Sequence, residues 1–246
     1  MGLKLNSNVP ARVVHDLLAR NDRALTESLL RLSSGLRINN AGDDVAGMAM
    51  SQRFARQVRG LDQASANVQD ALNLLFTADG ALTETTAILQ RMRELAVQAA
   101  SDTLTVSDRT AIREELADLS TEVDRIGKTT EFNTFKILSG GNFATAGFTI
   151  QIGADAGDVL NFKLDTATSA ALGVLSTQIS VESASLASVT LANLDNALER
   201  VALMRSNVGA RSNRMSAHLS VLQVQSENMA SSLTKIQDLD FAKEVS

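Results

Sequence analysis

The chain has 246 residues, 44% of them hydrophobic and 21% charged, a folding composition with material for one large or two small domains. A net charge of −5 argues against a protein built to neutralise phosphates, and the absence of cysteine excludes disulfides, thiolate metal sites and a cysteine nucleophile. With one proline, eight phenylalanines and no tyrosine or tryptophan, any core is built from Leu, Val, Ile, Ala and Met, which favours long helices.

The opening MGLKLNSNVPARVV lacks the apolar centre of a secretory signal, and no stretch approaches the ~20 apolar residues that cross a bilayer. Within residues 1–33, Val14, Leu18, Leu25, Leu29 and Leu32 recur at roughly helical spacing and predict a moderately amphipathic helix. Polar residues and glycines from Ser33 to Asp44 break it, and Asp43 or Asp44 is placed to cap the next helix. From about 44 to 100 a 3-4 spacing runs through positions 54, 58, 61, 65, 68, 72, 75, 79, 82, 86, 89, 93 and 96, a coiled-coil-like seam. A second row at Leu74, Ala78, Ala81, Ile88, Met92 and Leu95 widens the stripe, as for a helix packed between two others. Such a helix would be roughly 80 Å long, so the expected molecule is an elongated antiparallel helical bundle.

Ser107 or Asp108 is the expected N-cap of a shorter helix carrying Ile112, Leu116, Leu119, Val123 and Ile126 and ending at Gly127. The period then changes: residues 148–152 and 160–164 alternate around the turn cluster 153–158, predicting a β-hairpin. Residues 165–187 form a Ser/Thr/Ala-rich connection whose composition supports neither a large core nor a pocket. Positions 191, 194, 198, 201, 205, 208, 212, 215, 219, 222, 226, 229, 233 and 236 give the most regular heptad helix of the chain. The fold class is mainly α with a small β-hairpin region.

No catalytic or metal constellation emerges. His15 and His218 lie in different predicted helices without ligand neighbours, Asp43 and Asp44 read as caps, and Gly140-Gly141 lacks the lysine of a phosphate loop. No enzyme activity, cofactor, metal, nucleic acid or membrane insertion is expected. Arg53, Arg56 and Arg59, at i, i+3 and i+6, form a basic strip that reads either as a solvated face or as a charge stripe meeting an acidic neighbour in an assembly.

Several blocks closely resemble bacterial flagellin: RLSSGLRINNAGDDVAG at 31–47, LDQASAN at 61–67, LQRMRELAVQ at 89–98, EFNTFKIL at 131–138, RSNVGARSNRM at 205–215, Glu227-Asn228 and DLDFAKE at 238–244. The resemblance implies a structural subunit of the filament that propels swimming, working outside the cell after passage through the flagellar type III export apparatus. Implied partners are other flagellin subunits, the filament cap and hook-junction proteins, and in hosts an innate immune Toll-like receptor. The family's receptor motif maps to Arg91, Leu95 and Glu115. The domain scheme it implies is an arm at 1–43, with the export signal and half of the filament core, and a helical rod at 44–130 plus 188–240. The hairpin region and connection occupy 131–187, and a truncated end 241–246. The short connection leaves no length for outer domains.

Family members continue past the 238–244 block with a helix that pairs with the arm, so residues 1–33 are expected to be frayed or packed against another chain in the monomer. Two other readings are a hook–filament junction protein, with the same rod design, and a non-exported helical adaptor or signalling module. The β-hairpin and the export-like start weigh against the second.

Overall fold

The computed structural model describes residues 9–141 and 146–245, with the side chain of Val245 excluded; the expected export segment therefore lies partly outside the described residues. In chain order the elements are α1 (Val9–Ser34), α2 (Val45–Ala99), α3 (Val106–Thr129), β1 (Glu131–Phe132), β2 (Phe135–Lys136), β3 (Phe148–Gln151) and β4 (Val159–Phe162). They are followed by α4 (Ser169–Leu172), α5 (Ala184–Gln237) and α6 (Phe241–Val245). The chain divides into two compact units, Asp62–Gln223 and Met1–Leu61 with Val224–Ser246, and α2 and α5 each continue from one into the other.

In the unit Asp62–Gln223, α2 buries two rows. Val68, Leu75, Leu82, Leu89 and Ala96 form one; Ala64, Ala71, Ala78, Thr85, Met92 and Ala99 form the other. Their offsets alternate 3 and 4, the knob positions of a heptad helix. The first row is the one read from sequence. The second takes Ala78 and Met92 from the predicted second row, whose Leu74 and Leu95 are buried as well, and corrects the predicted seam at Ser65, Asp79 and Thr86, which are half-buried, and at Arg93, which is exposed. Alanine permits close backbone approach there, whereas the hydration of Asp79 and Arg93 keeps them at the edge. On α5 the predicted register holds: Leu194, Val201, Val208, Met215 and Leu222 are buried, and Leu191, Leu198, Arg205, Ser212 and Leu219 flank them half-buried. Ion pairs Arg93–Asp195 at 2.6 Å and Arg205–Asp79 at 3.0 Å fix α2 and α5 as antiparallel, since residue numbers rise on one as they fall on the other.

Helix α3 starts elsewhere than expected. Thr105, not Ser107 or Asp108, is its N-cap: the Thr105 hydroxyl accepts from the Asp108 N–H and the Asp108 carboxylate accepts from the Thr105 N–H, a reciprocal capping box. Nor does Gly127 stop it. The helix runs two residues further, and Gly127 is buried against the connection, so close that a Cβ there would come within 2.5 Å of the Ala167 carbonyl oxygen. The connection 165–187 contributes to the core, against expectation: Ala167, Leu172, Val174, Ile179 and Val181 are buried. It is sewn to α3 by the Ser120 hydroxyl, which donates to the Val174 carbonyl at 2.7 Å, and by the Ser169 hydroxyl, which donates to Asp124 at 3.0 Å.

The predicted hairpin is present as β3 and β4, paired antiparallel from Phe148↔Phe162 to Gln151↔Val159, with the Phe148 and Phe162 rings stacked at 5.6 Å. The Asn67 side-chain amide donates to the Gln151 carbonyl and anchors β3 to α2. A smaller hairpin pairs β1 with β2 through Asn133 and Thr134, both at positive φ (49° and 68°).

In the other unit, α1 is helical but none of its described residues is buried. The turn after it closes on the end of α5: the Arg37 N–H donates to the Gln237 carbonyl at 2.7 Å and the Leu239 N–H to the Gly35 carbonyl at 3.0 Å. Asp44 caps α2 by accepting from the Gly47 N–H at 2.8 Å, as predicted for one of the two acids. Asp43 instead holds the loop, accepting from the Asn39 and Asn40 N–H groups. Among the described residues no helix is long and apolar enough to cross a membrane.

Candidate functional site

Arg91 and Leu95 stand one turn apart on α2, and Glu115 lies on α3, which folds back beside it. The Arg91 guanidinium bridges two carboxylates, reaching Glu115 at 3.0 Å and Glu94 at 3.2 Å. The Glu115 hydrogen bond is the largest influence raising the Arg91 pKa, and Glu94 adds to it. Arg91 and Glu115 are each about half exposed, 53% and 47% by side chain, so the pair sits in water where its strength is small and its partners are exchangeable. Leu95 is different: at 3% exposure it is part of the core beneath them. The structure thus brings Arg91 and Glu115 together at the surface and places Leu95 under it.

Arg53, Arg56 and Arg59 are all exposed along one stretch of α2, and among the described residues none forms an ion pair. Arg53 spends one N–H on the Ala49 carbonyl of its own helix. In the same unit α1 presents Val13, Val14, Leu17, Leu18, Leu25 and Leu29 at 51–60% exposure. Such an apolar surface is larger than isolated exposed leucines and marks a contact face.

Two arginines act that sequence reasoning did not single out. Arg37, inside the 31–47 block, sends two guanidinium N–H groups to the Ile236 carbonyl at 2.7 and 3.2 Å, satisfying an end of α5 that its own helix leaves open. Arg109, buried to 8% exposure, donates to the Ala99 and Ser101 carbonyls and closes the end of α2 in the same way. The signal for both was weak: an arginine near a glycine or a polar turn, with a backbone acceptor that no residue pattern reveals. Among the described residues no group of three or more His, Asp or Glu side chains is placed to hold a metal ion.

Residues 5–143 match the bacterial flagellin N-terminal helical region and residues 191–246 the bacterial flagellin C-terminal helical region. A flagellin of Halalkalibacterium halodurans is 38% identical over 98% of this chain and 88% of its own length. The flagellar filament 33 kDa core protein of Treponema phagedenis is 34% identical over the same shares. Among solved structures, Bacillus cereus flagellin aligns with a TM-score of 0.55 at 30% identity, over 68% of this chain and 94% of that one. A putative flagellar hook-associated protein from Vibrio parahaemolyticus reaches a TM-score of 0.65 at 13% identity, over 80% of this chain and all of that one; this likeness is one of fold alone.

Proposed function

Because this chain belongs to the bacterial flagellins, we propose a use for each surface described above, beginning from its role as a structural subunit of the flagellar filament. The observation that carries the role is the agreement of both terminal helical regions with flagellins and filament core proteins over nearly the whole chain. The relatives' names favour the filament over the hook junction, and the β3–β4 hairpin remains the feature least suited to a helical adaptor. The subunit travels through the flagellar type III export apparatus and works outside the cell, next to filament cap and hook-junction proteins. No catalytic step is assigned to it.

The exposed apolar face of α1 supports assembly, because an aqueous monomer gains by covering those side chains against further subunits. The strip Arg53, Arg56 and Arg59 faces acidic groups of a neighbouring subunit in the same assembly. Incubating the purified chain with short filament seeds tests the role by electron microscopy: seeds elongate with added subunits, and seeds that keep their length would overturn it. Arg91 and Glu115 provide contact with the innate Toll-like receptor, with Leu95 holding the surface from below. The exposure and exchangeable partners of the ion pair support this. A receptor reporter assay checks it: Arg91→Ala lowers the response to monomer, while a response equal to that of the unsubstituted chain removes the assignment.

A further inference from the structure

Beside β4 lies a cavity of about 370 Å³ lined by Leu160, Asn161, Phe162, Lys163, Arg211 and Arg214. Three of its six described lining residues are cations and none is a carboxylate, in a chain whose net charge is −5. The local charge thus runs against the charge of the whole chain. Among the described residues neither Lys163 nor Arg214 takes part in an ion pair.

Arg211 is fixed. Its guanidinium lies over the Phe162 ring, 5.7 Å from the centroid, and one N–H group donates to the Lys163 carbonyl. The ring is itself held by stacking on Phe148 and is buried to 6% exposure. Stacking uses the face of a guanidinium and leaves its edge, and a single carbonyl occupies only part of a five-donor fork. Arg214 follows one turn later on the same face of α5, and Lys163 adds a third charge from the position just after β4. The Asn161 amide contributes no free donor, because its N–H groups go to the Thr149 hydroxyl and the Ala146 carbonyl. Selectivity in the cavity therefore rests on charge and on the guanidinium fork.

We propose that this cavity is a binding site for a small multivalent oxyanion, of the phosphate or tricarboxylate class, gripped by Arg211 and neutralised by Lys163 and Arg214. Preorganised guanidinium edges match oxyanion geometry bidentately, and a multivalent anion relieves the mutual repulsion of three cations as well as binding to each. Occupancy would join β4 to α5, since the ligand touches both.

The test is a titration of the uniformly ¹⁵N-labelled monomer with sodium phosphate, and separately with sodium citrate, at constant ionic strength maintained with sodium chloride. The expected result is saturable shifts centred on residues 160–163 and 211–214, with a dissociation constant on the order of a millimolar. Arg214→Gln weakens binding about tenfold, as loss of one charge-assisted contact should, while Lys136→Gln, which removes the same charge from β2 outside the cavity lining, leaves it unchanged. Arg214 and Lys136 are both exposed, so neither substitution threatens the fold. Shifts that stay linear in anion concentration, or that weaken equally in both variants, would overturn the site and leave only charge screening. If instead the cluster accepts a carboxylate from another copy of the chain, the monomer shows no saturation with either anion while Arg214→Gln alters assembly; that outcome also overturns a site for free oxyanions.

Discussion

On α2, within the unit Asp62–Gln223, leucines at seven-residue intervals are sealed from water: Leu75 and Leu89 at 0% exposure and Leu82 at 1%. On α1, in the other unit, Leu18, Leu25 and Leu29 stand at 56–60%. Both helices carry leucines at heptad-like spacing, so spacing alone does not decide burial. What differs is the supply of partners. Helix α2 is flanked by α3 and α5, whereas α1 touches α6 and the turn at 35–39 with little more than its last turns, through contacts such as Arg31–Glu244 at 4.0 Å. The lesson is that a leucine row is sealed only where the chain supplies partners for it, and on α1 the chain leaves the apolar face exposed.

Truncation of matched leucines breaks or sustains that contrast most strongly. Leu89→Ala opens a cavity in a packed core and lowers stability by about 2–5 kcal/mol, whereas Leu25→Ala in the monomer changes it by no more than about 0.5 kcal/mol. Guanidinium denaturation followed by far-ultraviolet circular dichroism measures both. Equal losses at the two sites would mean that α1 is buried in the monomer after all. In assembled filaments the order narrows, because Leu25 then has partners to lose.

The two arginine caps give a second, smaller contrast. Arg109 is buried and Arg37 exposed, yet both satisfy carbonyls at a helix end. Arg109→Leu strands acceptors away from water and costs about 1–3 kcal/mol, while Arg37→Leu exposes its acceptor to solvent and costs less than about 1 kcal/mol. The same denaturation measurement separates them, and a larger loss for Arg37 would reverse the ranking of the two units.

How much of this was legible in the sequence follows from signal strength. The row Val68, Leu75, Leu82, Leu89 was readable because large apolar side chains repeat every seven residues. Of its companion, Ala78 and Met92 were read as part of the second apolar row, whereas Ala64, Ala71, Thr85 and Ala99 were not, because alanine and threonine barely stand out from a surface helix. Strands β3 and β4 announced themselves by strict alternation. The ladder of β1 and β2 has two residues a side, too few for any period, and the turn residue expected at Thr134 would be glycine. Val174, Ile179 and Val181 follow no helical or strand period and are interrupted by glycine and polar residues, so only tertiary placement shows them as core. Of the site, the Arg91–Glu115 pair came through resemblance and proved adjacent, while Arg37 and Arg109 bind backbone carbonyls and leave no pattern to read.

Thr134 offers the next smaller effect, a gain. A β-branched residue at φ 68° meets its own carbonyl neighbours, and the Thr134 hydroxyl bond to the Asn133 carbonyl at 2.6 Å only partly offsets this. Thr134→Gly supplies the Asn-Gly pair that a two-residue hairpin prefers and stabilises the unit Asp62–Gln223 by up to about 1 kcal/mol. The rise in thermal midpoint reads it, and a fall would show that the hydroxyl matters more than the backbone strain.

The smallest effects are electrostatic, and they fall on both units alike. Hydrogen bonds from the Thr105 hydroxyl, then from its N–H, hold the Asp108 carboxyl below its ordinary value of 3.8; N–H groups of Asn40, then Asn39, do the same for Asp43, with Arg31 adding attraction. A carboxylate whose folded pKa is depressed stabilises the native state above its unfolded pKa, and that contribution disappears as pH falls through the folded pKa. Both groups lie at the surface, so each contribution is screened and small. Two-dimensional NMR of the side-chain carboxyl carbons places both midpoints below 3.8 in the unsubstituted chain. In the Thr105→Ala variant the Asp108 midpoint moves upward, because its strongest donor is gone, while the Asp43 midpoint stays where it was. An upward shift at both would mean that the substitution acts beyond its own loop, and the assignment of the Asp108 shift to the Thr105 hydroxyl would fail.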